Sequence, residues 1–145
     1  MDRPPHAAMA RLLVEDDEAV RESLHLLLSS NYDIDSVGDA ASALATARRR
    51  YQNWYPPYDA LLIDLSLGAG PDGFECLSQL RRIPGYSCAP ALAFTGWSGA
   101  EVEARCRAFG FADVLIKPFM PEDLERRLEQ VFSSMPVDYA HLTVA

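Results

Sequence analysis

One lysine stands in the whole chain: of 13 basic residues 12 are arginine, and Lys117 is the exception. Cysteine is scarce as well. Cys76, Cys88 and Cys106 are odd in number with no close pair, which excludes a disulfide framework and a zinc site and leaves buried or half-buried thiols as the expectation. No apolar run is long enough to cross a bilayer, so no membrane contact is expected. The N-terminal MDRPPHAAMAR lacks the apolar stretch of a secretory signal, and the reading is a cytoplasmic protein. Basic charge is in deficit, 13 against 21 acidic residues for a net charge of −8. Such a surface repels a phosphate backbone and sets direct nucleic-acid binding aside.

What is present describes one globular domain: 145 residues, 49% apolar and 23% charged, enough to bury a core. Residues 11–134 are read as the domain, 1–10 as a lead-in and 135–145 as a tail. Its centre is YDALLIDLSLGAGPDG, Tyr58 to Gly73. Ala60 to Ile63 are continuously apolar, as suits a strand covered on both faces, and Asp64 closes the run before a glycine-rich loop. A carboxylate at the carboxyl end of a parallel strand lies where open α/β sheets bind ligands. The plain alternative is an aspartate that caps or turns.

The rest of the chain alternates in the same way. Arg11–Val14 reads as a first strand running into Glu15, Asp16, Asp17 and Glu18, after which Val20, Leu24, Leu27 and Leu28 recur at helical spacing. Asp17 and Glu18 are explained equally well as helix caps. Ile34–Val37 is a weak second strand, and Asp39 can cap a helix ending in Arg48-Arg49-Arg50, a solvated terminus that complements the dipole. YQNWYPPY, residues 51–58, is an aromatic loop. It is either a contact surface or, more commonly for such loops, aromatics tucked over the chain. A third helix is predicted over Gly73–Ile83 and a fourth strand over Ala91–Phe94, which ends at Thr95-Gly96. A fourth helix starts at Ser98 or Gly99, runs through Val102, Cys106 and Phe109 and is stopped by Gly110; Val114–Ile116 is a fifth strand ending at Lys117-Pro118, and a last helix opens at Pro121 with Leu124, Leu128, Val131 and Phe132 inward. Alternating strands and helices require a doubly wound α/β domain with a five-stranded parallel sheet, expected in the order 2-1-3-4-5, and five helices.

In that order the acids after strand one face Asp64 across the crevice, with Thr95 and Lys117 on the neighbouring strand ends. Clustered carboxylates repel unless a cation joins them, and an all-oxygen set favours a hard ion, Mg²⁺ first and Mn²⁺ as a substitute. Lys117 supplies a compact ammonium that can pair with Asp64 or with a phosphoryl oxygen.

LLVEDDEAVR, Asp64, Thr95 and Lys117-Pro118-Phe119 together resemble the receiver domain of two-component response regulators, over about Arg11 to Phe132. The resemblance implies that Asp64 is the phosphoacceptor, with Thr95 and Lys117 binding the phosphoryl group. It implies Mg²⁺ held by Asp16, Asp64 and the backbone carbonyl of Ser66, and by Glu15 through water. The phosphoryl donor would be a histidine kinase, a histidine phosphotransfer protein or a small phosphodonor. Output would be contact with a target protein through the fourth and fifth helices and the strand between them, or phosphate relay; a homodimer through that face is compatible with it. The chain is expected to catalyse only its own phosphorylation and dephosphorylation. It reads as a single-domain regulator, with a receiver cut from a hybrid kinase or a longer regulator as the alternative. A flavodoxin-like FMN binder fits less well, because four acids would meet the phosphate, and a haloacid-dehalogenase-type phosphatase lacks its aspartate pair at strand one.

Two departures from the family pattern stand out. The loop SLGAGPDG is one residue longer than usual and rich in glycine, so greater mobility and weaker metal binding are expected. Val114 occupies the position of the family's switch aromatic, three residues before the lysine. Trp97 or Phe111 is the candidate substitute, and Trp97 as a simple surface aromatic is equally consistent.

Overall fold

Strands that are apolar without interruption must be covered on both faces, and the computed structural model shows what covers them. It describes residues 10–134 other than Asn31; the lead-in over 1–9 and the tail over 135–145 lie outside the described residues. The elements are β1 (Ala10–Val14), α1 (Glu18–Ser29), β2 (Asp33–Val37), α2 (Ala40–Gln52), β3 (Ala60–Asp64), α3 (Gly73–Leu80), β4 (Ala91–Thr95), α4 (Ala100–Phe109), β5 (Asp113–Ile116) and α5 (Pro121–Ser134). The strands form one parallel sheet in the order β2-β1-β3-β4-β5, as the alternation predicts.

Side chains alternate along each strand and so divide the core in two. Leu12, Val14, Leu61, Ile63, Ala93 and Val114 pack beneath α2, α3 and α4. Leu13, Leu62, Leu92, Phe94 and Leu115 meet Leu24 and Leu28 of α1 and Leu124, Leu128 and Val131 of α5. Each fully buried leucine contributes about 2 kcal/mol by removal of apolar surface from water. Asp17, Asp39 and Asp72 cap α1, α2 and α3, each accepting a backbone N–H three residues on. β2 is an edge strand whose exposed Asp33 and Asp35 discourage pairing with another sheet.

Several expectations need correction. Helix α3 ends at Leu80 rather than Ile83, because Pro84 biases the residue before it away from helix and the chain tightens into three-residue turns (Arg82 N–H to Gln79 O, Ile83 N–H to Leu80 O). Leu27 is 51% exposed, since α1 carries more leucine than the sheet and α5 can cover. Phe109 is 42% exposed, its ring tilted by 52° against Phe74 with the centroids 4.8 Å apart. Cys88 is exposed; Cys76 and Cys106 are buried, and burial raises the Cys76 thiol to about 12. Arg50 is half-buried rather than solvated, its guanidinium lying 4.5 Å above the Tyr58 ring. In the aromatic loop only Tyr58 is tucked away, while Tyr51, Trp54 and Tyr55 face water.

Candidate functional site

The parallel sheet brings four strand ends to one rim. β1 delivers Glu15 and Asp16 immediately past Val14, and Val14 lies in register with Ile63, so these acids stand beside Asp64. Glu15 N–H donates to Val37 O at 3.0 Å, and Arg21, one turn into α1, donates to Glu15 O at 2.9 Å. The acidic corner is therefore fixed from both sides. β4 delivers Thr95, paired with Ile116 of β5, so Lys117 arrives one residue beyond and its N–H reaches Thr95 O at 2.7 Å.

Glu15, Asp64 and Thr95 are buried, whereas Asp16 is exposed. One carboxylate oxygen each from Glu15, Asp16 and Asp64 lies within 4.8 Å of the others. Lys117 Nζ stands 2.9 Å from Asp64 Oδ2 and 3.1 Å from Glu15 Oε2, drawing together residues 102 apart in sequence. The other Asp64 oxygen, Oδ1, accepts the Ser66 N–H at 3.0 Å. Burial, reinforced by the neighbouring Asp64, raises the Glu15 carboxyl from 4.5 to about 7, against the opposing pull of Lys117. Burial works to lower the Lys117 ammonium, but its hydrogen bonds to Asp64 and Glu15 prevail and the net shift is upward. Three anionic groups with a single ammonium leave an excess of negative charge, so the donor set, all oxygen and partly open at Asp16, suits a hard divalent cation.

Thr95 Oγ1 accepts the Trp97 N–H at 3.0 Å, and the space beside Gly96 is open: a Cβ there would meet nothing within 4 Å. The long loop carries left-handed glycines at Gly68 and Gly70 and returns to the strand at Gly73, where a Cβ would come 2.4 Å from Asp64 O. Only glycine permits that approach.

Of the switch candidates, Trp97 is at the rim and 57% exposed, and Val114 is buried two residues before Ile116 on β5. Phe111 is not brought to the site. It precedes β5 near the start of β4, where Ala112 N–H meets Ala91 O, and is buried edge-on against Phe74. The contact between Lys117 and Glu15 was not foreseen, nor was Arg21, whose only signal is an arginine one helical turn past the acids.

The sequence profile of the response regulator receiver domain matches residues 12–129. The chain belongs to that family. The receiver is 30% identical over 133 residues to an uncharacterized 14.6 kDa protein of Leptolyngbya boryana, covering 91% of this chain and 96% of that one. It is 33% identical over 128 residues to the cell cycle response regulator CtrA of Brucella ovis, covering 85% of this chain and spanning half the length of that relative. Among solved structures, chemotaxis protein CheY4 of Vibrio cholerae superposes with a TM-score of 0.76 at 27% identity, over 86% of this receiver and 99% of that chain. The receiver domain of sensor histidine kinase PA1611 from Pseudomonas aeruginosa, solved with magnesium in its active-site cleft, gives 0.73 at 29% identity, over 88% and 100%. Among the described residues no helix is long and apolar enough to cross a membrane.

Proposed function

We propose that this receiver is a cytoplasmic phosphorylation switch in which Asp64 accepts a phosphoryl group from a histidine kinase, a histidine phosphotransfer protein or a small phosphodonor. The observation that carries the reading is the convergence of Lys117 on Asp64 at 2.9 Å beside the carboxylates of Glu15 and Asp16. An oxygen of Asp64 attacks phosphorus, the bond from phosphorus to the donor atom breaks, and the departing group keeps that electron pair. Phosphoryl transfer asks a protein mainly for alignment and charge neutralisation. Lys117 leaves the Asp64 oxygen for a phosphoryl oxygen, and Thr95 donates its hydroxyl to another once it turns from the Trp97 N–H. Asp16, Asp64 and the Ser66 carbonyl would hold Mg²⁺, with Glu15 behind; the bound ion supplies neutralisation of the phosphoryl charge.

A phosphodonor protein must lie close to Asp64. A groove of about 410 Å³ beside Lys117, walled by Val20, Leu24, Leu27 and Phe119, offers it apolar footing. The half-exposed Leu27 belongs to that groove. Output runs through α4, β5 and α5 to a target protein or a second copy, and no external substrate is turned over. The chain acts as a single-domain regulator or as the receiver of a longer protein, and it has no nucleic-acid partner of its own.

Incubation with acetyl phosphate and Mg²⁺, read by intact mass, tests the assignment. One alkali-labile phosphoryl group is expected on the wild-type chain and none on Asp64→Asn. Labelling that survives Asp64→Asn removes the reading, and continuous hydrolysis without an adduct marks a phosphatase instead. Trp97→Phe tests the switch: if the fluorescence change induced by beryllofluoride persists undiminished, Trp97 has no part in it.

A further inference from the structure

The rim at the amino ends of the strands, opposite the acidic edge, holds an aromatic loop that the receiver reading leaves unused. Helix α2 ends in a Schellman turn, in which Trp54 N–H donates to Tyr51 O at 3.2 Å and Tyr55 N–H to Arg50 O at 3.0 Å. The residue closing such a turn takes left-handed backbone, which glycine adopts freely. Here it is Trp54, at φ 62°. Its indole is 94% exposed, next to Tyr55 at 62% and Tyr51 at 55%. A bulky ring is held where it strains the backbone and gains no burial, the pattern of strain kept for a use.

The loop is also pre-organised. Arg50 Nε donates to Pro56 O at 2.5 Å while its guanidinium stacks on Tyr58. Pro57 lies so close to Gly85 that a Cβ there would come within 2.5 Å of Pro57 Cγ. Two grooves meet at Tyr51 and Pro84. One, about 340 Å³, is walled by Trp54, Tyr55, Pro57 and Tyr86; the other, about 420 Å³, by Arg48, Gln79 and Arg82. No acidic side chain lines either groove, although acids outnumber bases 21 to 13 in the chain.

Charge decides what fits. A second copy docked through the same face would bring its own arginines against these, and the two arginines at the edge, Arg48 and Arg82, are too few to follow a phosphate backbone. An acidic segment is attracted, and grooves walled by aromatic rings accept extended chains with prolyl anchors. We propose that the rim centred on Trp54 and edged by Arg48 and Arg82 is a docking site for an extended, acidic, proline-bearing segment of another protein. The four steps of β3 from Ala60 to Asp64 put at least about 13 Å between this rim and Asp64, so the tether holds whatever the state of the acceptor. It stands independently of the phosphorylation chemistry.

The probe is a fluorescein-labelled peptide with a central Pro-Leu-Pro flanked by glutamates, titrated with the full chain. The expected Kd is about 10–100 µM, within the range of short linear segments. Trp54→Gly weakens it about tenfold, and Arg48→Ala or Arg82→Ala about threefold each. Trp54→Gly melts about 3 °C higher than the wild type, because glycine relieves the turn, which excludes unfolding as the cause of lost binding. Beryllofluoride with Mg²⁺ leaves the affinity unchanged within about twofold, and a larger change overturns the tether. The docking site is overturned if binding does not saturate by about 1 mM, if a glutamine version of the peptide binds equally, or if single-stranded oligonucleotide or anionic vesicles bind more tightly through Trp54.

Discussion

At the carboxyl ends of its strands this receiver buries charge, and at the amino ends it exposes aromatic rings. Glu15 is fully buried beside Asp64, while Trp54 stands 94% in water on a strained turn. Neither arrangement favours the isolated chain: one concentrates negative charge away from solvent, the other leaves apolar surface wet. Both rest on the same sheet, whose two leucine-rich layers fix the strand ends whatever is placed on them. The contrast shows that one core can hold opposite kinds of instability at its two rims.

The carboxyl-end rim depends most on Lys117. Lys117→Ala leaves the buried carboxylates without their ammonium, and the initial rate of phosphorylation by acetyl phosphate should fall about 100- to 1,000-fold. Stability at pH 8 without Mg²⁺ should fall by about 3 kcal/mol in urea unfolding, the cost of stranding a buried charge. A rate loss below about fivefold would mean that the carboxyl-end rim does not depend on its cation.

Glu15 sharpens the same end through pH. Its folded pKa, about 7, lies above the unfolded 4.5, so the folded chain holds the proton more tightly. The resulting stabilisation is complete below about 4.5 and is lost as pH rises through 7. Metal-free protein should therefore lose stability between pH 5 and pH 8 by about 2 kcal/mol. Glu15→Gln should flatten that slope, and Mg²⁺ affinity in the wild type should rise over the same interval. An unchanged slope in the variant would show the acid rim to be solvated.

At the other end, Trp54→Gly should stabilise the chain by about 1 kcal/mol, a gain where most substitutions cost. A loss would mean that the indole earns its place by packing. The smallest effect is a count: Ellman's reagent should titrate one thiol in the native chain, Cys88, since Cys76 and Cys106 are buried. Two or more would show that the layer under α3 and α4 opens readily.

The sheet was legible because Leu61–Ile63 and Ala91–Phe94 are apolar on both faces, which alternation along a half-exposed strand would not produce. The strand ends carrying Asp64, Thr95 and Lys117 were legible for the same reason: a polar residue closing such a run has one rim to occupy. Helical spacing shows which way Leu27 faces but not how far a neighbour reaches over it, so its exposure was missed. Phe111 misled through nearness in sequence, because β5 carries the chain from one rim to the other between Phe111 and Lys117. The pairing of Lys117 with Glu15 depends on register across the sheet, and the Schellman turn at Trp54 hides because its usual glycine is absent.

The approach of Gly73 to Asp64 has a consequence for how such loops can vary. Gly73 N–H also bonds to Leu65 O at 3.0 Å, so the chain between them is clasped at its base and leaves and rejoins the fold at one fixed point. Residues added within the clasp lengthen an excursion into solvent without shifting helix or acceptor. Insertions are therefore tolerated at the exposed tip over residues 68–70, as in a handle bolted at both ends, while Leu67 stays anchored in the core and Asp72 keeps its place at the start of α3.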